Sequence, residues 1–292
     1  MFEATYKQER GPAVTPFNQY SDRVLAKFHS LLDTEPHEAA VQEFLERHPS
    51  LVPGAWTPGI KSSHMPFYNS LITQPRLPGF EARVPDFLWL SNHSGAIYAA
   101  MVEIERPSKT LFTAAPMPTA EFTQAYNQFA QWRIWFDLPS HKQLFFDHYG
   151  ITAHQLFSLD FDLHLILVFG RRKEFENAPQ LSKLRGKLAN GSNEELVSFD
   201  RLSPDSSLHS VVTVTPSGGG RFAVKYVPET FTTSPYDAHD YLSLDGWNAA
   251  IDANQDIPTE RREFLKRRVA YWCDWAKNTN GSYGIQGDAY AE

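Results

Sequence analysis

Two segments decide the fold: residues 84–90, which read VPDFLWL, and residues 97–105, which read IYAAMVEIE. Both are rich in the β-branched and aromatic residues that favour strands, and the SNHSG between them is typical of a turn. The second strand ends at Arg106-Pro107, because proline has no N–H to add to the ladder. The pattern therefore predicts a β-hairpin.

Acidic residues follow the hairpin with the spacing of a strand face. Alternation places Glu103 and Glu105 on one face, with Cα atoms about 7 Å apart. If Ser91 pairs with Ala96, Asp86 shares this face and lies one diagonal step from Glu103, within about 7–8 Å. A slip of one residue would move Asp86 to the other face. Carboxylates this close are unfavourable unless a cation or hydrogen-bond donors neutralise them, so they are arranged to hold one ion or, as the alternative, they are ordinary surface acids on a solvent-exposed face.

The rest of the chain indicates a mixed α/β fold in three parts. Residues 1–33 form a polar lead with a short helix, residues 34–202 the main domain, and residues 203–292 an accessory segment of strands and a helix. Inside the main domain we expect helices over 34–48, capped by Thr34, and from the cap Thr119 to about residue 137. Further strands are expected at 67–73, 163–169 and 196–199, with a short helix around 181–188.

Charge and composition exclude several classes of protein. The chain has 292 residues with 27 basic and 34 acidic side chains, a net charge of −7, so nucleic-acid binding would need a local basic surface. A single cysteine, Cys273, excludes an internal disulfide and fits a reducing compartment. No segment approaches the roughly 20 apolar residues of a membrane span, and no signal-peptide pattern is seen. We expect a cytoplasmic protein with no membrane partner.

Two helical side chains are expected to reach the hairpin acids. Glu38 precedes Val41 by three residues and Leu45 by seven, which places it on the inward side of its helix. Gln128 borders the apolar stripe of the later helix, so its amide needs a partner. The alternatives stay open: Glu38 as an acid favoured by the helix dipole, and Gln128 as a surface glutamine.

The last helix, expected over 259–277, has two possible roles. Its basic residues would form a local phosphate-binding surface, or a solvated face whose apolar side docks on the core. These residues are Arg261, Arg262, Lys266, Arg267 and Arg268.

Short motifs recur between residues 35 and 202 in a consistent order. They are LERHP at 45–49, VPDF at 84–87, VEIERPS at 102–108, PTAEF at 118–122, FGR at 169–171 and SFDRL at 198–202. Together they resemble the nuclease domain of the Shedu family of bacterial anti-phage defence proteins. The resemblance implies the restriction-endonuclease-like PD-(D/E)XK fold, an αβββαβ core with a mixed sheet flanked by helices.

The resemblance also implies an activity, metal-dependent hydrolysis of DNA in phage defence, and a homo-oligomer. Asp86 and Glu103 would bind Mg²⁺ or Mn²⁺ through hard oxygen ligands, and the metal would activate a water. Glu38 would add an outer-shell or direct ligand, and Gln128 would help position the site. Arginines are expected to contact the phosphates of DNA: Arg106, Arg171 and Arg172.

One position departs from the superfamily pattern. The motif ends in lysine, whereas this chain has Glu105, which supplies no positive charge. Either Glu105 binds a second metal or Lys109 takes the place of the lysine, and both readings keep the two residues in the catalytic set. The alternatives are a domain of the same fold that binds nucleic acid without cutting and, less expected, an interaction protein whose acids lie in solvent.

Overall fold

The computed structural model describes residues 6–56, 66–79, 84–92, 95–151, 160–188, 191, 193–218, 220–279 and 292. The helices are α1 Phe17–Asp33, α2 Glu38–Arg47, α3 Ala120–Asp137, α4 Pro139–His148, α5 Pro179–Arg185, α6 Ala238–Ser243, α7 Trp247–Ala253 and α8 Thr259–Thr279. The strands are β1 Ser70–Thr73, β2 Phe87–Asn92, β3 Ala96–Ile104, β4 Asp160–Val168, β5 Glu194–Val197, β6 Val212–Gly218, β7 Arg221–Tyr226 and β8 Leu244–Asp245.

All the strands belong to one mixed sheet with the order β5-β4-β3-β2-β1-β6-β7-β8. The strand β3 is antiparallel to β2 and parallel to β4, which is in turn parallel to β5. The predicted α/β class with a mixed sheet is confirmed. Because β3, β4 and β5 run in the same direction, the residues that follow them meet at one edge of the sheet.

Helices cover both faces of the sheet, which explains why every residue of β3 is buried. On one face Met101 packs in the core that includes α3 and α8. On the other face Val102 and Ile104 pack in the core that includes α1 and α2. Glu103 shares its face with Met101 by alternation, so it points toward α3.

The predicted hairpin is present, but its expected register is wrong by two residues. Ser91 pairs with Tyr98 rather than Ala96, and the ladder continues to the pair of Asn92 with Ile97. A shift of two residues keeps each side chain on its face. Phe87 pairs with Val102, so the preceding Asp86 comes opposite Glu103 itself.

The start of α2 also differs from the prediction. Thr34 does not cap this helix; it ends α1, where its Oγ1 donates a hydrogen bond of 2.7 Å to the Leu31 carbonyl. Glu35 has a φ of +50°, which breaks the helical path between α1 and α2. The helix α2 therefore begins at Glu38, with His37 as its N-cap. The strand expected over 67–73 is shorter, because residues 67–69 form a 3₁₀ turn before Ser70.

The C-terminal segment extends the sheet, since β6 pairs in parallel with β1. A domain boundary near residue 203 stays a prediction. In α8, Arg261 and Arg268 are each only 1% exposed and donate to backbone carbonyls of Phe231 and Lys7. These two arginines therefore belong to the docked side of the helix, not to a phosphate-binding surface. Within the described ranges, none of the helices is long and apolar enough to cross a membrane.

Candidate active site

The centre of the candidate site is the pair of carboxylates at the end of the hairpin. Asp86 is held by the backbone, because its Oδ2 accepts a hydrogen bond of 2.8 Å from the Ile104 N–H. Glu103 is 9% exposed, and its Oε2 is buried with no hydrogen-bond partner. An orphaned carboxylate oxygen beside a second carboxylate is unfavourable unless a cation or donor joins it.

Burial and mutual repulsion change the protonation of this pair. Burial raises the pKa of Asp86 to about 8, against the opposing effect of the Ile104 hydrogen bond, and the nearby charges of Glu38 and Glu105 add to the rise. Burial, and then the charge of Asp86, raise the pKa of Glu103 well above its usual range. The metal-free pair therefore retains a proton at neutral pH, and a bound cation would favour the fully ionised form.

Glu105 and Glu38 extend the acidic group, which we call the carboxylate site together with Asp86 and Glu103. Glu105 is 7% exposed, so the alternative in which the hairpin acids lie in solvent is wrong for Glu103 and Glu105. Burial, followed by the charge of Glu105, raises the pKa of Glu38 at the first position of α2. The Lys109 ammonium forms an ion pair with Glu105. A positive charge is thus held beside the acids, four residues after Glu105.

Gln128 closes the site from the helix side. The predicted cap is confirmed: the Thr119 hydroxyl accepts a hydrogen bond from the Phe122 N–H, 3.2 Å long, and fixes the start of α3. The Gln128 side chain is 2% exposed, and neither its Nε2 nor its Oε1 has a hydrogen-bond partner. It lowers the pKa of Glu103, although the two side chains do not meet hydrogen-bond geometry. The surface-glutamine alternative is wrong.

One further buried acid near Asp86 was not predicted as part of the site. Glu46 on α2 is 4% exposed, and its charge contributes to the raised pKa of Asp86. It forms an ion pair of 2.8 Å with Lys225 on β7 and accepts a hydrogen bond from Thr73. The only signal in the sequence is the LERHP motif, since Lys225 lies 179 residues further along the chain. The C-terminal segment therefore contributes a charge close to the site.

The three arginines expected to contact phosphate have different surroundings. The Arg106 Nη2 lies 2.9 Å from His37 Nδ1. The Arg171 guanidinium is ion-paired with Asp200 at 2.9 Å and reaches Asp33 at 3.4 Å. Arg172 is exposed, and only its backbone N–H is bound to Asp200. Their contacts with DNA stay predictions. Of the three, Arg171 already forms ion pairs with two aspartates of the protein.

The donor set fits a metal shared between protein and substrate. In the part of the chain that the structure describes, no three His, Cys, Asp or Glu side chains form a ready-made metal-binding group. Mg²⁺ rarely needs one, because it is usually bound by one or two carboxylates together with waters and phosphate oxygens. Asp86 and Glu103 would provide these carboxylates, and the Glu103 Oε2 has no hydrogen-bond partner that a metal would have to displace.

Comparison with protein families agrees with the motifs. The family model described as "Shedu protein SduA, C-terminal" matches residues 35–203, more than half of the chain. The match includes every residue of the carboxylate site, together with Gln128 and Lys109, and ends before Lys225. No curated protein matches the chain. The chain therefore belongs to the Shedu protein SduA C-terminal family.

Proposed function

We propose that this chain is a divalent-metal-dependent endonuclease that hydrolyses the phosphodiester bonds of DNA, with a core of the PD-(D/E)XK type. Family membership associates the chain with anti-phage defence, which makes foreign DNA the expected substrate. The observation that carries the proposal is the buried Glu103 Oε2, which has no hydrogen-bond partner and belongs to the residue opposite Asp86 at the end of the hairpin. The element order α2, β1, β2, β3, α3, β4 follows the αβββαβ order of that superfamily, with α4 following α3.

The residues of the site have separate tasks in this reaction. A bound Mg²⁺ or Mn²⁺ would polarise the scissile phosphate and lower the pKa of a water. Asp86 and Glu103 would hold the metal, and the Ile104 N–H keeps the Asp86 carboxylate in one orientation. The Gln128 amide has a free N–H group for the attacking water or a phosphate oxygen.

Lys109 would supply the positive charge that lysine provides at the position of Glu105 in the superfamily motif. Its ammonium is held by Glu105 and therefore stays beside the carboxylate site. A charge placed in advance near the phosphate stabilises the charge that develops during hydrolysis. Glu105 then acts as a positioning residue for Lys109, unless it binds a second metal directly.

Cleavage of DNA tests the proposal directly. Linear and supercoiled DNA would be incubated with Mg²⁺, Mn²⁺ or EDTA, with wild-type protein beside the Glu103→Gln variant. The matched control is Glu194→Gln, another buried glutamate of the sheet, which is already paired with Arg133. We expect metal-dependent cleavage that is lost in Glu103→Gln and kept in Glu194→Gln. If the folded wild-type protein cleaves neither DNA under any condition, the endonuclease proposal is wrong.

A protein that binds nucleic acid without cutting it is the second candidate. It is favoured by the glutamate at position 105, because no lysine extends from β3 itself. Binding of DNA by the wild-type protein in the presence of Mg²⁺, with no cleavage and no gain of cleavage in Glu105→Lys, would support this candidate over the endonuclease.

A further inference from the structure

A group of arginines lies where the parallel strands β4 and β5 end. Val168 of β4 pairs with Val197 of β5, and Arg172 and Arg201 each follow four residues later. The two segments stay side by side after the strands, since the Arg172 N–H donates to Asp200 Oδ2 at 2.6 Å. Both arginine side chains are exposed. The topology therefore places two exposed arginines at the same edge of the sheet.

Arg185, at the end of α5, joins them from the other direction. Its Nη2 donates a hydrogen bond of 3.0 Å to the Leu196 carbonyl on β5, and its guanidinium lies 5.4 Å from the centre of the Phe175 ring. Burial, and then the charge of Arg201, lower the pKa of Arg185; the charge of Glu174 opposes this effect, and Arg172 acts in the same direction as Arg201. Arg172 and Arg201 are thus each close enough to act on the charge of Arg185.

Two acids close to this arginine cluster, defined as Arg172, Arg185 and Arg201, are bonded to other groups. Asp200 is ion-paired with Arg171, and the Glu174 carboxylate accepts the backbone N–H groups of Leu111 and Phe112. Among the residues that the structure describes, none of the three arginines has a carboxylate within ion-pair distance. Three unpaired arginines in a chain of net charge −7 form a local site for an anion.

We propose that the arginine cluster binds the phosphates of the DNA strand that runs through the carboxylate site. This inference rests on the proposed function and adds Arg185 and Arg201 to the phosphate contacts. Guanidinium groups bind phosphate oxygens in pairs, and ligands of α/β sheets bind outside the carboxyl ends of parallel strands. The strand β5 lies two strands from β3, about 10 Å away, which corresponds to roughly three nucleotides along a DNA strand.

Salt-dependent binding of DNA, without metal, tests the arginine cluster apart from cleavage. The protein would be titrated into a fluorescein-labelled 30-bp duplex in EDTA, and fluorescence anisotropy would be recorded at several KCl concentrations. The variant is Arg172→Gln with Arg201→Gln. The control is Arg221→Gln with Arg267→Gln, which removes two exposed arginines that are each ion-paired with an acid.

We expect the first double variant to lose two phosphate contacts. The slope of log K against log[salt] should become shallower by about 1.8. For two lines that meet at about 1 M salt, this difference corresponds to about 60-fold weaker binding of the variant at 0.1 M salt. The control should keep the wild-type slope, and thermal unfolding should show that both double variants are folded. A single-stranded 30-mer, in a parallel titration, should show a change of about 1.4 if the substrate is a single strand.

The outcomes separate this inference from the proposed function. An unchanged slope and affinity in the folded Arg172→Gln/Arg201→Gln protein overturns the arginine cluster, whether or not the wild type cuts DNA. Wild-type protein that binds neither oligonucleotide also overturns it. A shallower slope in a protein that never cuts DNA keeps the cluster and refutes only the endonuclease.

Discussion

Replacing Asp86 with asparagine should stabilise the metal-free protein at alkaline pH. Burial raises the pKa of Asp86 from 3.8 to about 8, so ionising this group in the folded protein is unfavourable. For a carboxyl group with a raised pKa, its contribution to stability is complete below the unfolded value and is lost as the pH rises toward 8. Because pH 7 lies about three units above the ordinary pKa of an aspartate, keeping this group protonated costs the folded protein at most about 4 kcal/mol, which is the largest stability gain that Asp86→Asn can give.

The expected gain is smaller than this ceiling. Solvent still reaches part of the Asp86 side chain, and the asparagine oxygen would accept the Ile104 N–H more weakly than a carboxylate does. Subtracting about 1 kcal/mol for that hydrogen bond leaves a gain of about 3 kcal/mol at pH 7–8 and little at pH 4. In a chain of this size the melting temperature should rise by roughly 5 °C.

Thermal unfolding at pH 4, 6 and 8 measures this gain, once in EDTA and once with Mg²⁺ in place of EDTA. Mg²⁺ at 100 times its Kd should stabilise the wild type by about 2.7 kcal/mol and leave Asp86→Asn unchanged. Glu46→Gln is the matched control, because its buried carboxylate is paired with Lys225 and its loss should destabilise the protein at pH 8. Equal or lower stability of Asp86→Asn at pH 8, with the same difference from wild type at pH 4, would refute the reasoning.

Two further predictions concern single side chains. Lys109→Ala should reduce the rate of single-turnover cleavage about 100-fold or more, and Lys109→Arg should restore part of that rate, because the site then regains a positive charge beside Glu105. The control is Lys173→Ala, which removes an exposed lysine paired with Glu35. A cleavage rate that Lys109→Ala leaves unaffected would exclude the role of Lys109. Burial lowers the pKa of His48 from 6.5 to about 4, so stability should fall as the pH drops from 6.5 toward 4. Urea unfolding should show a smaller fall in His48→Gln, and an identical pH profile would contradict this prediction.

The local features of the fold could be predicted because they depend on neighbouring residues. The apolar runs of β2 and β3 predicted the hairpin, and Thr119 predicted the start of α3. The pairing of β1 with β6 could not be predicted, since Leu71 and Thr213 are joined by no local pattern. The same limit applies to α4, α6 and α7, which lack a clear apolar period in the sequence.

The face of each hairpin acid was predicted correctly even though the register was wrong. Side chains alternate with a period of two, so the two-residue difference kept Asp86 on the face of Glu103 and brought it directly opposite. The burial of Gln128 was also predicted in part, from its place beside the apolar stripe of α3. The ion pair between Glu46 and Lys225 depends on strands that are far apart in sequence and could only be seen in the structure.

In the proposed endonuclease, glutamate at position 105 would make the site depend more strongly on cations than lysine at that position would. Replacing lysine by Glu105 removes one positive charge and adds one negative charge, and the Lys109 ion pair restores only one of these two charges. Burial is the main cause of the raised pKa of Asp86, Glu103 and Glu38, and the charge of Glu105 adds to the rise in each. A divalent cation bound by Asp86 and Glu103 would neutralise the excess negative charge, displace the retained proton and stabilise the folded protein. In the proposed endonuclease, glutamate at position 105 is therefore compatible with catalysis, because Lys109 would supply the positive charge and the added carboxylate would strengthen the demand for metal.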